Sequence, residues 1–238
     1  MDEPTTVKML AELVERRVPF VHVRFGDGDV FFATGTGPTL TGDGEEWTPE
    51  LADRLRSAWR ALATVPNVLL GDVESYAVSD GCEAQWRELL EEWRLLRRDR
   101  ETRLVHIEAL RAGRQALDFY RAAATDDRRK VFVGPARLAG AARMLDAAHV
   151  HVPLHDSWRW TDELLARLSD EDPEVALFAA GRGGKIMQAH LALRSPKVTQ
   201  VDVGSGLDIL FDGVRRGTDA GIDVAALRET YRAAGLEL

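Results

Sequence analysis

Short apolar runs alternate along the chain with longer stretches in which the apolar residues follow helical spacing. The apolar runs predict buried strands at residues 20–25, 68–72, 104–107, 131–135, 150–153, 175–180 and 198–203. Helical spacing predicts helices at residues 5–17, 49–63, 83–98, 108–124, 136–147, 158–168, 186–193 and 223–234. Strands that alternate with helices are typical of an α/β fold with a mostly parallel sheet, and the sequence predicts that class here.

Polar and glycine-rich segments separate these elements. Thr48 and Pro49 form a good helix start, as an N-cap followed by proline at the first helical position. The segment at residues 34–47 is rich in glycine, threonine and acids, which predicts a mobile loop longer than most connections in a compact domain. We expect a single domain over residues 1–238, with the polar turn at 125–130 as the place for a seam between subdomains.

The overall composition argues against several classes of protein. Apolar residues make up 45% of the 238 residues, which is enough for a core of ordinary size. No stretch approaches the about 20 continuous apolar residues of a membrane span, and the N-terminus lacks the apolar segment of a signal peptide. The net charge of −8 argues against a nucleic-acid partner, which needs a basic face. Because the single cysteine, Cys82, fits a reducing compartment, we expect a cytoplasmic protein, as a single chain or as a homo-oligomer.

Four of the predicted strands end in residues that carry chemistry. These strand ends are Arg24 to Asp29, Gly134-Pro135, Gly181 to Lys185, and Asp202 to Ser205. Ligands of open parallel sheets bind at the carboxyl ends of the strands. We therefore expect several of these segments to face one crevice.

The first strand end holds two carboxylates on a glycine turn, in the sequence Arg24-Phe25-Gly26-Asp27-Gly28-Asp29. Asp27 and Asp29 at this spacing can jointly bind Mg²⁺ or Mn²⁺, which prefer oxygen ligands and keep substrate phosphates in their shell. Arg24 can offer a bidentate fork to the same diphosphate. The alternative is an acidic turn in which Asp27 caps its own backbone.

Two later strand ends offer phosphate and ribose contacts. Gly181 to Lys185 links a predicted strand to a helix, where backbone N–H groups favour phosphate and Lys185 adds positive charge. Its spacing matches neither GxxxxGK[ST] nor GxGxxG, so a plain strand-to-helix turn is an equal alternative. At the last strand end, Asp202 either contacts ribose or a metal or caps a loop, and Asp208 is a second candidate carboxylate.

The segment Arg24 to Asp29 resembles the N-terminal RFGDGE signature of the GT-D-type glycosyltransferases. That family was long catalogued as a domain of unknown function and is known from the glycosylation of bacterial serine-rich-repeat adhesins. Other segments resemble the family's later elements, at residues 47–55, 68–71, 157–165, 177–181 and 201–205. The resemblance covers nearly the whole chain, although only the first motif is specific.

The resemblance implies a Rossmann-like, GT-D-like α/β fold, a nucleoside diphosphate sugar as donor, usually a UDP-sugar, and Mn²⁺ or Mg²⁺. The family's D-x-E pair falls on Asp27 and Asp29, so the second acid is one methylene shorter here. The family's Gly-Pro-Thr-Ala loop is replaced by Gly181-Arg182-Gly183-Gly184, so Arg182 or Lys185 is expected to contribute to the phosphate contacts. Some members have histidine where Ser205 stands, so a catalytic histidine is not carried over to that position.

These features lead to the hypothesis of a metal-dependent glycosyltransferase with catalytic residues Asp27, Asp29 and Asp208, of which the first two hold the metal. Asp72, Glu74 or Asp208 deprotonates an acceptor hydroxyl, carried by a glycan, a glycopeptide or a small molecule. The alternatives are another nucleotide-dependent transferase and a non-catalytic module that binds a nucleotide sugar. The predicted donor-binding residues all lie at the strand ends: Arg24, Phe25, Gly26, Gly28, Gly134, Pro135, Gly181, Arg182, Lys185, Asp202, Gly204 and Ser205.

Overall fold

A computed structural model of the chain describes residues 1–36, 45–74, 77, 81–97, 101–213 and 221–238. Seven strands form one sheet: Val21–Val23 (β1), Val68–Asp72 (β2), Arg103–His106 (β3), Lys130–Gly134 (β4), Ala148–His151 (β5), Val175–Phe178 (β6) and Thr199–Asp202 (β7). Their order is β3-β2-β1-β7-β6-β4-β5, and all neighbouring pairs are parallel. The predicted α/β class is confirmed.

Helices follow the strands along the chain. They are Glu3–Glu15 (α1), Asp27–Thr34 (α2), Pro49–Thr64 (α3), Glu83–Arg97 (α4), Leu117–Thr125 (α5), Ala139–Met144 (α6), Thr161–Asp170 (α7), Gly181–Arg194 (α8), Asp208–Phe211 (α9) and Val224–Ala233 (α10). Single 3-10 turns at Ala136–Leu138 and Ser157–Trp160 precede α6 and α7. None of the helices in the described ranges has the length and apolar character to cross a membrane.

Alternate side chains of the strands enter cores on opposite faces of the sheet, as the period of two in a strand requires. Phe132 and Leu177 pack with α1, α5, α6, α9 and α10 on one face. Val133 and Phe178 pack with α7 and α8 on the other face. That second face also carries a core formed with α2, α3 and α4, in which the Trp59 ring contacts Trp93 with a centroid distance of 4.6 Å. The described helices therefore cover both faces of the sheet.

Two predicted helix limits are wrong in ways that matter for the site. The predicted helix at 108–124 begins only at Leu117, because the preceding segment is held by the loop after β7. There the Ala112 N–H donates to the Gly206 carbonyl of that loop at 2.6 Å. The Tyr120 hydroxyl of α5 also donates to the Leu110 carbonyl at 2.5 Å. These tertiary bonds override the local helix propensity. Conversely, the predicted glycine loop at 181–185 is already the start of α8.

The remaining organisational predictions are only partly covered by the structure. Residues 37–44 of the predicted loop at 34–47 lie outside the described residues. The polar turn at 125–130 leads from α5 into β4, and strands from both sides of this turn share the same sheet. The single domain over the whole chain stays a prediction.

Candidate functional site

A cleft of about 750 Å³ opens at the carboxyl edge of the sheet. The segment that follows each of the seven strands contributes to its lining. Among the described residues, the arginine and lysine side chains that line it are Arg24, Arg111, Arg137, Arg182 and Lys185. The described acidic side chains of the lining are Asp27, Asp29, Glu45, Glu108 and Asp208. The expected convergence of several strand ends on one crevice is therefore observed.

Most of the predicted site residues line this cleft. They are Arg24, Gly26, Asp27, Gly28, Asp29, Pro135, Gly181, Arg182, Lys185, Gly204, Ser205 and Asp208. Phe25 does not, because its ring is fully buried edge-on against Trp59 with a centroid distance of 4.9 Å. Gly134 does not either, because it still belongs to β4. Asp202 ends β7 beneath the cleft and reaches the ligand side only through its contacts with basic residues.

The acidic motif forms the first turn of α2 rather than a free turn. Gly26 is the N-cap, and Asp27, Gly28 and Asp29 are the first three helical residues. The Gly26 N–H donates to Oδ2 of Asp29 at 3.0 Å, so Asp29 caps the helix start. Carboxylates in this position are favoured by the helix dipole. The capping alternative therefore applies to Asp29, whereas Asp27 is exposed on the wall of the cleft.

The start of α8 carries two buried basic residues. Lys185 Nζ lies 3.5 Å from Oδ2 of Asp29 and 3.2 Å from Oδ2 of Asp202. Arg182 Nε lies 3.6 Å from Oδ1 of Asp29, and its Nη1 donates to Oε2 of Glu45 at 2.5 Å. The Arg182 guanidinium also stacks on the Phe32 ring, 4.3 Å from the centroid. Basic groups are disfavoured at a helix N-terminus, so these acids compensate for their position.

Arg24 joins the same group from the end of β1. Its Nη1 donates to the Ile107 carbonyl at 2.8 Å, and its Nε lies 3.7 Å from Oδ1 of Asp202. Gly204 has a φ of +50°, and a Cβ on it would lie 1.6 Å from Arg24 Nη2. Only glycine therefore allows the guanidinium to lie over the β7 loop. We call Arg24, Asp202, Lys185, Asp29, Arg182 and Glu45 the buried ion cluster, in which basic and acidic groups alternate.

Burial and charge shift the pKa values within this cluster. Burial alone would lower the pKa of Lys185, but the Asp202 and Asp29 carboxylates outweigh that effect and raise it. Burial would likewise raise the pKa of Asp202, but Lys185 and Arg24 hold it below its ordinary value. Both groups are therefore charged at neutral pH. The neighbouring His22 on β1 is fully buried, which lowers its pKa to about 4 and leaves it neutral.

The other predicted carboxylates are poorly placed to act as a general base. Asp208 is 2% exposed, and each of its two oxygens lies 3.4 Å from Nη2 of Arg137. Asp72 accepts a hydrogen bond from the Glu74 N–H at 3.0 Å, and neither of these two residues lines the cleft. Asp27 differs from all three. It lines the cleft, and its carboxylate has no hydrogen bond or ion pair with any described residue.

The oxygens of Asp29 do not fit a divalent ion shared with Asp27. Oδ2 already accepts from the Gly26 N–H and faces Lys185, and Oδ1 faces Arg182. A Mg²⁺ ion about 2.1 Å from Oδ2 would lie within about 6 Å of the Lys185 ammonium, which repels it. The described part of the chain contains no group of three or more His, Cys, Asp or Glu residues arranged to hold a metal. The Asp27–Asp29 metal site stays a prediction.

Several residues of the cleft were not predicted from the sequence. Arg137 lies two positions after Pro135, so the strand end at Gly134-Pro135 was a usable signal. Arg111 was hidden inside the wrongly predicted helix at 108–124. No local sequence pattern marks Glu45 as a site residue, because its partner Arg182 is 137 positions away in the sequence.

Two solved structures share the fold of this chain. One is described as the highly conserved domain of unknown function 1792 with a distinct glycosyltransferase fold, and the other is the selenomethionine-substituted structure of domain of unknown function 1792. Each has a TM-score of 0.55 and 18% sequence identity, over 94% of this chain and 95% of the other. No family model and no curated protein matches the chain. The chain therefore has a glycosyltransferase fold, as the RFGDGE resemblance implies.

Proposed function

We propose that the chain is a glycosyltransferase that moves the sugar of a nucleoside diphosphate sugar, with UDP-sugars as the first candidates, to an acceptor hydroxyl. The observation that carries the proposal is the convergence of Arg24, Arg182 and Lys185 on one cleft of a glycosyltransferase fold. These cations lie at the carboxyl edge of a parallel sheet, where nucleotides bind in such folds. The same edge holds the N-terminus of α8, whose free N–H groups favour phosphate.

In the proposed reaction, the bond between the anomeric carbon and the β-phosphate oxygen breaks, and the electron pair stays with that oxygen. The acceptor oxygen forms the new bond to the anomeric carbon and gives its proton to a base. Negative charge therefore grows on the diphosphate as it leaves. Fixed basic groups in a water-poor site stabilise that charge more in the transition state than in the ground state. Arg24, Arg182 and Lys185 are our candidates for this role.

Asp27 is our candidate for the base that accepts the proton of the acceptor. It is exposed on the cleft wall, and no described residue neutralises it. Asp208, one of the three bases that the sequence offers, is instead held by Arg137. A carboxylate with a free oxygen at the cleft is the simplest acceptor of a hydroxyl proton.

The dependence on Mn²⁺ or Mg²⁺ that the sequence predicts is a further part of the proposal. A divalent ion, when bound, would supply Lewis-acid charge at the diphosphate. Asp27 is the residue of the motif whose carboxylate is free to bind it, and with an ion bound there Asp27 would hold the metal instead of acting as the base. The poor fit at Asp29 means that we assign no reaction step to the ion.

A donor panel tests the proposal. UDP-, GDP-, ADP- and CDP-sugars, and in parallel ATP, GTP, CTP and UTP, are mixed with the chain, with and without Mn²⁺. Thermal stability and release of nucleoside diphosphate are measured. We expect one donor class to raise the melting temperature, because a ligand of the folded state stabilises it, and to be hydrolysed slowly. Binding without release favours the non-catalytic module. Cleavage of a nucleoside triphosphate favours the other transferase, and the absence of any binding contradicts the proposal.

A further inference from the structure

Asp29 and Asp27 lie two positions apart but have different surroundings. Asp29 is 7% exposed, and both of its oxygens face basic groups of α8. Asp27 is exposed and lines the cleft. A pair of acids that shares one ion needs both carboxylates to point at the same open space. The carboxylate of Asp29 is directed instead at Lys185 and Arg182.

The contacts of Asp29 fix where those two basic groups lie. Lys185 has three donor hydrogens and faces two acids, Asp29 and Asp202, so it retains donor capacity towards the cleft that it lines. Arg182 has five donor hydrogens, and its Nε faces Asp29 while Nη1 is bound to Glu45. Without the Asp29 charge, two cations less than 10% exposed would lose their shared partner. Partners of this kind orient the side chains that contact a ligand.

We infer that Asp29 is a positioning residue, which orients Lys185 and Arg182 towards the donor diphosphate, and that it is not a metal ligand. The inference rests on the proposed function, because it assumes a diphosphate in the cleft. The two acids of the motif therefore have different roles. Asp27 contacts the ligands in the cleft directly, whereas Asp29 affects donor binding indirectly, by orienting Lys185 and Arg182 of α8.

A double-mutant cycle on UDP binding tests this assignment. Titration calorimetry measures the Kd of UDP for the wild type, Asp29→Asn, Lys185→Met and the double variant, in EDTA and in Mn²⁺. We expect Asp29→Asn to weaken UDP binding about 10-fold in the wild-type background and less than about 3-fold when Lys185 is already replaced, because coupled residues are not additive. Asp53→Asn, at an exposed position of α3, is the matched control and should leave the Kd unchanged.

The affinity for Mn²⁺ distinguishes a positioning role of Asp29 from a role as metal ligand, because only the loss of a ligand weakens metal binding. Titration of Mn²⁺ into the UDP complex should give the same Kd, within about 3-fold, for the wild type and Asp29→Asn, whereas a lost carboxylate ligand weakens a metal site about 10- to 100-fold. A weakening of that size in Asp29→Asn would overturn the inference, as would an additive cycle. An absence of any Mn²⁺ effect on either protein supports it.

A second variant protects the test against misfolding of Asp29→Asn. Arg182→Gln removes the guanidinium that faces Oδ1 of Asp29 and leaves the carboxylate in place. We expect weaker UDP binding with unchanged affinity for Mn²⁺, whereas tighter Mn²⁺ binding would show that Asp29 is a ligand. Arg167→Gln, on the exposed side of α7, is the control. A wild type that binds no nucleoside diphosphate at all overturns both this inference and the proposed function, whereas a changed Mn²⁺ affinity overturns only the inference.

Discussion

Two helices begin at the cleft, and their first turns carry opposite charges. The start of α2 is acidic, with Asp27 and Asp29, which agrees with the preference of a helix N-terminus for negative charge. The start of α8 has no acid in its first turn and instead contains Arg182, with Lys185 following. The acidic start is explained by local helix stability, but the basic start is not.

This difference supports the proposal that an anionic ligand binds at the start of α8. Proteins depart from the residue preferences of helices mainly at functional sites, where ligand binding compensates for the lost stability. Asp29, Asp202 and Glu45 supply part of that compensation for α8. An arrangement that buries basic groups against a helix dipole and opens onto a cleft is useful when an anion binds there.

The strongest test removes the basic group at the centre of the cluster. We expect Lys185→Met to lower kcat/KM for the donor about 100- to 1,000-fold, the usual effect of losing one charge-stabilising donor in a preorganised site. Steady-state release of nucleoside diphosphate measures it. Lys197→Met, at an exposed position beyond α8, is the control and should keep full activity. Equal activity of the two variants would mean that the basic start of α8 has no role with the donor.

The two acids of α2 should differ strongly in their contribution to stability. Asp29→Asn should lower the free energy of unfolding by about 3 kcal/mol, because it leaves two buried cations without a shared partner. Asp27→Asn should change it by less than about 0.5 kcal/mol, as an exposed site does. Urea unfolding of both variants gives the values, and similar losses would remove the distinction between the two acids.

The pH dependence of stability tests the buried surroundings of β1. Burial and the nearby Arg24 outweigh the Asp202 charge and lower the pKa of His22 to about 4 from an ordinary 6.5. Below pH 6.5 the unfolded chain therefore binds a proton that the folded chain does not, so stability falls as the pH falls. One such histidine costs about 2 kcal/mol between pH 6.5 and 5. Urea unfolding at both pH values should show this loss in the wild type and not in His22→Leu.

The smallest expected effect concerns the space beside Arg24. Gly204→Ala places a Cβ on the Arg24 guanidinium, so we expect UDP to bind about 10-fold more weakly, equal to about 1.4 kcal/mol. Gly235→Ala is the matched control, because Gly235 also has a positive φ, of +85°, but nothing within 4 Å of an added Cβ. Both variants should lose similar stability from backbone strain. If UDP binds equally well to both, the position of Arg24 does not matter for the donor.

The fold and the location of the site could be predicted from local patterns. Apolar runs that end in glycine or charge identified the strand ends, and in a parallel sheet these ends must meet at one edge. The Thr48-Pro49 start of α3 was also correct, since the Thr48 hydroxyl accepts from the Leu51 N–H at 3.1 Å. Caps and periodicity depend on neighbours within a few residues, which the sequence displays directly.

The different surroundings of Asp27 and Asp29 could not be predicted, because they depend on distant contacts. Asp29 and Lys185 are far apart in sequence, and nothing around either residue indicates their pairing. Phe25 belongs to the same motif as Arg24, yet its ring packs into the core around Trp59 and does not line the cleft. From their spacing in the sequence, Asp27 and Asp29 are predicted to bind one metal ion together. In the folded chain Asp29 contacts basic groups of α8, whereas Asp27 is exposed at the cleft.

A crystal structure of the chain with a bound nucleoside diphosphate would show whether the start of α8 binds the donor. We expect the diphosphate to lie in the cleft, with oxygens about 3 Å from Lys185 Nζ and from the Arg182 or Arg24 guanidinium. Asp29 should keep its contacts with Lys185 and the Gly26 N–H. A diphosphate bound away from the start of α8, with these basic groups still directed only at their acids, would contradict this expectation.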